Sequence, residues 1–316
     1  MSGASAQWGR RQAGLLGASG VLLLIFLVIS PEFRSPTKLL DQTSTWVEVG
    51  ILAPFALFVI LTGGIDLSVA SIMALVGVTI GRLHFEEGVP IGPAAAIGLA
   101  LGALAGAVNG AIIVLARIPD LVVTLATMAI YRGLAQAVAR NQDYSGLPEG
   151  YRFLDDGLVV GIPVPWLVLL TVWIVAYLLL HHSPVGRRVY SLGSNPRAAR
   201  LAGVSVARVR ILVYGLSGLA AAVAAILYTV RSNAARSDDA EGFELYAITC
   251  VVLGGASIAG GRGSAAGVFL GFVFLGLLRS GLDLTGVHEF WQKLAMGTLL
   301  VGIAAINERL AGTKSA

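Results

Sequence analysis

The chain has 316 residues, of which 56% are hydrophobic and only 13% are charged. Soluble domains are closer to a quarter charged, so this composition excludes an ordinary soluble enzyme or binding domain and predicts a protein that lies in a membrane. The net charge of +4 is spread over loops that flank apolar runs, which argues against a nucleic-acid-binding surface. The single cysteine, Cys250, excludes an intrachain disulfide.

Ten apolar runs approach or exceed the roughly 20 helical residues that cross the hydrocarbon core of a bilayer. We therefore predict an all-α polytopic protein with a single transmembrane domain over residues 1–316. The first run follows two arginines and lacks an A-x-A-like cleavage site, so we interpret it as a retained helix. The predicted spans are Ala13–Ser30, Val47–Thr62, Ile65–Ile80, Ile91–Leu115, Leu121–Ala139, Pro163–Leu180, Val209–Val230, Glu244–Ala259, Ala265–Leu282 and Phe290–Asn307.

The most distinctive polar segment covers about residues 181–210 and carries six arginines and no acidic residue. A segment this basic is expected on the cytoplasmic side, which with ten spans puts both termini there too. Its centre has helical signals: Asn195 suits an N-cap, Pro196 the first helical position and Gly203 the C-terminal stop. The spacing alone leaves two interpretations open, a short helix that docks a partner and a solvated loop that only sets topology.

Two glycine-rich joints lie between short spans, TGGIDLS at Thr62–Ser68 and LGGASIAGGRGS at Leu253–Ser264. Paired, glycine-interrupted segments in two halves of a chain are typical of internally repeated transporters. Asp66 in the first joint is either a cap of the following helix or a carboxylate that couples transport to an ion, and its position near a turn favours the cap.

Polar residues within or beside the spans are candidates to line a translocation pathway, namely Asp66, Asn109, Thr124, Thr127, Tyr131, Arg132 and Thr249. No catalytic constellation accompanies them: the sequence has no G-x-x-x-x-G-K-[ST] phosphate loop, no H-E-x-x-H and no Cys/His cluster. We expect neither an enzyme nor a metal site. Energy for uphill transport would then come from a partner or an ion gradient.

Four stretches, in order along the chain, resemble the ribose-type sugar permeases of bacterial binding-protein-dependent ABC importers. LTGGIDLSVASIMAL (Leu61–Leu75) is similar to their G-I-D-L-S-V-G signature, and RIPDLVVTLATMAIYRGLA (Arg117–Ala135) to their I-P-x-F-I-V-T-L-G-T-M segment. GRRVYSLGSNPRAARLAGVSV (Gly186–Val206) is similar to their cytoplasmic loop, and GFELYAITCVVLGGASIAGGRGSAAG (Gly242–Gly267) to their second glycine-rich segment. The sequence departs from the family pattern at Ala70, Asp120 and Leu121.

The resemblance implies a ten-helix permease fold of the vitamin B12 importer type in the bacterial cytoplasmic (inner) membrane. It also implies an ABC ATPase subunit as partner, a second permease that is identical or paralogous, and an extracytoplasmic sugar-binding protein. ATP and Mg²⁺ would be bound by the ATPase, with no cofactor in this chain. The substrate would be a small sugar such as ribose or rhamnose, with the furanosyl signal autoinducer-2 as the alternative.

The resemblance also assigns roles to residues. The coupling helix that meets the ATPase would comprise Gly193, Asn195, Pro196, Ala198, Ala199, Arg200, Leu201 and Gly203. Its small residues would give the helix a slim profile for entry into a cleft. Docking of the binding protein is expected on the opposite side, at Arg236, Asp238, Asp239 and Glu244, where Glu244 is expected to pair with Arg231 or Arg236.

Two other classes of function compete with this interpretation. An ion-coupled secondary transporter would use Asp66, and its uptake would collapse with an ionophore while ATP is held constant. A membrane scaffold or receptor would show no solute flux and no ATPase partner. The sequence has no cluster of ion ligands, which disfavours the first, and its basic helical loop disfavours the second.

Overall fold

A computed structural model describes residues 2–35, 38, 42–140 and 142–312. A 3₁₀ turn, Pro31–Arg34, follows the first helix. The α-helices are α1 (Ser2–Ile29), α2 (Val47–Leu61), α3 (Val69–Phe85), α4 (Ile91–Ala116), α5 (Asp120–Ala139), α6 (Glu149–Asp156), α7 (Val164–His181), α8 (Pro184–Ser194), α9 (Pro196–Leu201), α10 (Val206–Ser232), α11 (Phe243–Leu253), α12 (Ala265–Leu284) and α13 (Glu289–Gly312).

Seven described helices are long and apolar enough to cross a membrane, and they correspond to seven of the ten predicted spans. The spans are Gln12–Ile29, Gln42–Leu61 (α2 with the short turn before it), Ile91–Ala116, Asp120–Ala139, Val164–His181, Val206–Ser232 and Ala265–Leu284. The predicted span Ile65–Ile80 is instead the helix α3, which begins only at Val69.

The predicted span Glu244–Ala259 was too long, because α11 ends at Leu253. Gly255 follows with φ of +87°, a backbone conformation that glycine adopts without a steric cost. At 1.5 Å per residue, 11 residues rise only about 16 Å, roughly half of the hydrocarbon core. The described residues therefore show a polytopic helical protein with seven candidate spans. The tenth predicted span, Phe290–Asn307, lies within the helix α13.

Helix α2 forms the centre of the bundle. All of its residues except Ala56 are buried, and it packs against α7, α10, α11 and α12. Glu48 is the one acidic residue of α2, and it is also buried, in an ion pair with Arg231 at the end of α10 (Oε1–Nε 2.9 Å). The sequence analysis missed this pair, although an acid inside an apolar run was a visible signal.

Helices α4 and α10 pack with their backbones in contact, along glycines of both helices. A side chain at Gly106 would collide with the carbonyl oxygen of Tyr214, and one at Gly218 would collide with that of Gly102. At Gly110, a Cβ atom would lie 2.7 Å from the Cα of Ile211. Small residues permit such close approach of helices in a membrane.

Two short antiparallel ladders order the end of the bundle that lies away from α9. Strand β1 (Tyr144–Ser145) pairs with β4 (Ala234–Ala235), and β2 (Leu158–Val159) pairs with β3 (Ile162–Pro163). The loop between α5 and α7 and the loop between α10 and α11 thus contact each other. Tyr144 also donates a hydrogen bond to Glu86 (2.7 Å), which ties both loops to the end of α3.

Candidate functional site

The first glycine joint carries a buried carboxylate with three hydrogen-bond donors. Asp66 Oδ1 accepts bonds from the Ser68 amide (3.0 Å) and the Ser68 hydroxyl (2.7 Å). Asp66 Oδ2 accepts a bond from the hydroxyl of Ser217 on α10 (2.8 Å). Helix α3 begins after Ser68, so Asp66 is not the N-cap residue itself; its carboxylate instead binds the amide of that residue. All three donors are neutral hydroxyl or amide groups.

A chain of polar contacts leads from this carboxylate to α4 and α5. The Asn109 side-chain amide donates to Ser68 Oγ (2.8 Å), and Tyr131 Oη lies 3.0 Å from Asn109 Oδ1. Thr124 Oγ1 donates to the backbone carbonyl of Ile65 in the joint (3.0 Å). The structure therefore brings together four of the predicted pathway residues, all with buried side chains: Asp66, Asn109, Thr124 and Tyr131.

The other three predicted pathway residues lie outside this network. Thr127 and Thr249 donate to carbonyl groups of their own helices, at Val123 (3.0 Å) and Leu245 (2.6 Å). Arg132 points to the opposite end of the bundle, where it donates to the carbonyl oxygens of Ser237 (2.6 Å) and Asp239 (3.0 Å). These two bonds attach α5 to the loop between α10 and α11, which carries the predicted docking residues Asp238 and Asp239.

The two glycine joints meet each other, although about 190 residues separate them along the chain. The amide of Gly261 donates to the carbonyl of Leu61 (2.9 Å), and a Cβ atom at Gly260 would lie 2.9 Å from the amide nitrogen of Gly63. Both joints touch α8: a side chain at Gly193 would collide with the Leu61 carbonyl and would lie 2.5 Å from the Gly261 nitrogen. The end of α8 is thus seated on the point where the joints cross.

The short helix predicted within the basic segment is present as α9. The Asn195 side chain caps it by accepting bonds from the amides of Arg197 and Ala198 (both 3.0 Å). Gly203 ends it with φ of +81°, and the amide of Val204 returns to the carbonyl of Ala199 (3.0 Å), a C-terminal capping arrangement. The local signals of cap, proline and glycine are confirmed.

The structure explains why several residues of this segment are small, which the sequence alone did not. Gly193 is small because the Leu61 carbonyl occupies the space, Ala199 is buried against the chain itself, and Gly203 is required by its positive φ. Of the four small residues ascribed to a slim profile, Ala198 is the exposed alanine. A slim profile is therefore not needed to explain the other three.

The tip of α9 exposes one large apolar side chain among cations. Leu201 is 91% exposed, whereas Val189 and Leu192 on α8 are buried. Arg197 and Arg200 are exposed beside Leu201 and form no ion pair with an acidic group in the described part of the chain. An exposed apolar side chain with two such arginines nearby suits a contact surface, because arginine is enriched at protein interfaces.

The opposite end carries an open polar cavity of about 620 Å³. Three of the four predicted docking residues line it, namely Arg236, Asp238 and Asp239. The predicted pairing of Glu244 with Arg231 or Arg236 is wrong, because Arg231 pairs with Glu48 and Arg236 pairs with Asp143 (3.2 Å). Partial burial raises the pKa of Asp239 to about 6, while its Oδ2 accepts a hydrogen bond from the Arg236 amide (2.8 Å).

Comparison with known proteins assigns the chain to a protein family. Residues 40–304 match the family described as a branched-chain amino acid transport system/permease component. The chain belongs to this permease family. The expectation drawn from the four sequence motifs is therefore confirmed, and the family spans most of the chain rather than one segment.

The permease is 36% identical over 291 residues to the ribose import permease of Bacillus subtilis strain 168, covering 92% of this chain and 90% of the relative. It is 36% identical over 302 residues to the ribose import permease of Escherichia coli K12, covering 93% and 92%. An autoinducer 2 import system permease from Escherichia coli O9:H4 strain HS is 36% identical over 285 residues, covering 88% and 86%. No solved structure matches the permease.

Proposed function

We propose that this chain is the membrane-spanning subunit of an ABC importer for a small sugar, with ribose as the first candidate. The observation that carries the proposal is the similarity, along more than nine-tenths of the chain, to two proteins named as ribose import permeases. These relatives are named as permeases, which agrees with a transport protein rather than an enzyme. Hydrolysis of ATP, with its Mg²⁺, would take place on a separate ATPase subunit.

The helix α9 is the proposed contact with that ATPase. Its exposed Leu201, with Arg197 and Arg200 in the preceding turn, offers an apolar and cationic surface to a cleft lined by acidic residues. Gly193 connects this contact to the interior, because it touches the crossing point of both glycine joints. Movement of α9 would thus be transmitted to the Asp66 network through packed backbone contacts of α8 with the two joints, rather than through a flexible linker.

The opposite end would receive the sugar-binding protein, at the polar cavity that Arg236, Asp238 and Asp239 line. A second permease would complete the pathway, with ten spans per chain in a fold of the vitamin B12 importer type. The membrane would be the bacterial cytoplasmic membrane, with both termini and α9 in the cytoplasm, as the arginine distribution indicates.

The second candidate substrate is autoinducer-2, which the 36% identity to an autoinducer 2 import permease favours. An ion-coupled mechanism gains less support, since all the hydrogen bonds that the Asp66 carboxylate accepts come from Ser68 and Ser217. Those donors occupy three of the roughly four lone-pair sites of the carboxylate, which leaves it little capacity to coordinate an ion in this conformation.

The test is uptake by proteoliposomes that contain the chain with its ATPase, loaded with ATP and supplied with the binding protein. We expect ¹⁴C-ribose to accumulate, to stop with an ATPase variant that binds but does not hydrolyse ATP, and to persist with a protonophore. Uptake of autoinducer-2 without ribose would select the second substrate. Uptake that collapses with the protonophore at constant ATP would overturn the ABC mechanism.

A further inference from the structure

A second carboxylate, Asp120 at the start of α5, lies beside the first glycine joint. Its Oδ1 pairs with Nη1 of Arg210 (2.9 Å), and its Oδ2 accepts a hydrogen bond from the Tyr214 hydroxyl (2.9 Å). The carboxylate is mostly buried, with 11% of its side chain exposed, and Tyr214 is fully buried. Hydrogen bonds to charged groups are stronger than neutral ones, so this group is held firmly.

The joint is in direct contact with this carboxylate. A side chain at Gly64 would collide with the Asp120 carboxylate and would lie 2.6 Å from the Tyr214 hydroxyl oxygen. The backbone of the joint is therefore packed against the Asp120–Arg210–Tyr214 group, with no room for a Cβ atom between them. Two residues further along, Asp66 is bound by Ser217.

The three side chains of α10 that bind these carboxylates lie on one face of the helix. Arg210, Tyr214 and Ser217 are spaced by four and three residues, which places them on one side of a helix. That face binds two carboxylates, Asp120 beside the joint and Asp66 within it. Helix α10 begins at Val206, only five residues after α9 ends at Leu201, so a displacement of α9 pulls directly on this face.

We propose that Asp120, Arg210 and Tyr214 are positioning residues for transport: they hold the first glycine joint on α10 so that movement of α9 reaches the Asp66 network. We call the three residues the α10 clamp. The proposal rests on the proposed function for its transport readout. The clamp is not implied by the resemblance, because Asp120 is a position at which the sequence departs from the common family pattern.

The first arm of the test uses the permease alone. Thr62 in the joint is 3% exposed, so in a Cys250→Ser background the variant Thr62→Cys reports on the packing of the joint. We expect N-ethylmaleimide to label this cysteine at least about fivefold faster when Asp120→Asn is added, the lower end of typical coupling between sites. Arg117→Gln is the control, because it removes an exposed cation three residues away. Equal labelling in both backgrounds would overturn the proposal.

The second arm measures ¹⁴C-ribose taken up per ATP hydrolysed by the reconstituted complex. We expect at least about a fivefold fall for Asp120→Asn and for Tyr214→Phe relative to Arg117→Gln, measured at a temperature below the unfolding midpoint of every variant. Faster labelling with an unchanged ratio would show that the clamp packs the joint but transmits nothing, which contradicts the proposal. If the unsubstituted complex shows no ATP-dependent uptake of ribose, the proposed function fails instead, while labelling still decides whether the clamp holds the joint.

Discussion

Glu48 in the first turn of α2 and Arg231 in the last turn of α10 form an ion pair of 2.9 Å, with the carboxylate side chain 1% exposed. The guanidinium also lies over the ring of Tyr228, 5.2 Å from its centroid. Removing one partner of such a buried pair leaves an uncompensated charge, which is far more costly than loss of the pair as a whole.

We therefore expect Arg231→Leu to lower the free energy of unfolding by about 3–5 kcal/mol, measured by thermal or denaturant unfolding in detergent. The double variant Glu48→Gln with Arg231→Leu should recover part of this loss. Arg236→Leu is the matched control: it removes the exposed pair with Asp143, which is worth at most about 1 kcal/mol. Equal losses for Arg231→Leu and Arg236→Leu would contradict the buried pair.

The glycine contact between α4 and α10 gives a second prediction. Gly106→Ala forces a methyl group against the Tyr214 carbonyl and should destabilise the protein by about 1–3 kcal/mol, as overpacked cores do. Gly133→Ala is the control, because α5 has open space there and alanine favours a helix over glycine. The pair is compared by the midpoint of thermal unfolding, and a Gly106→Ala variant as stable as Gly133→Ala would argue against the close packing.

The pKa of Asp239 makes stability depend on pH. Because burial raises this pKa from 3.8 to about 6, the group stabilises the folded state most below pH 3.8, and this contribution is lost as pH rises through 6. The difference in unfolding free energy between the native chain and Asp239→Asn should therefore fall between pH 4 and pH 7. The fall is at most about 3 kcal/mol, and less to the extent that solvent screens the group. A difference that is flat, or that grows with pH, would show that the carboxyl is not desolvated.

The exposed Leu201 gives a prediction about partner binding. Leu201→Ser should leave unfolding within about 0.5 kcal/mol of the native chain, since the side chain contacts little of its own protein. It should at the same time lower co-purification of the ATPase. Val160→Ser, at the 96% exposed tip of the β2–β3 hairpin at the other end, should change neither quantity. If the ATPase is retained equally by both variants, α9 is not its contact.

The sequence was informative where structure is decided locally. Asn195 and Gly203 predicted both ends of α9, because a cap and a positive φ are properties of one or two residues. Hydropathy located the long spans, but the span predicted from it ended six residues beyond the end of α11. The reason is that glycines in an apolar run change the mean hydropathy little. The pairs Asp120–Arg210 and Glu48–Arg231 join residues 90 and 183 positions apart. Such contacts depend on how helices pack, which one sequence does not contain.

The backbone contact of α4 with α10 has a consequence for motion. Helices that interlock at Gly102, Gly106 and Gly218 cannot slide along one another without steric collision. The two helices therefore move as one rigid body. Spin labels placed on the two helices should keep a constant separation through a complete transport cycle. Labels on α9 and α12, by contrast, are where a changing distance distribution should be sought.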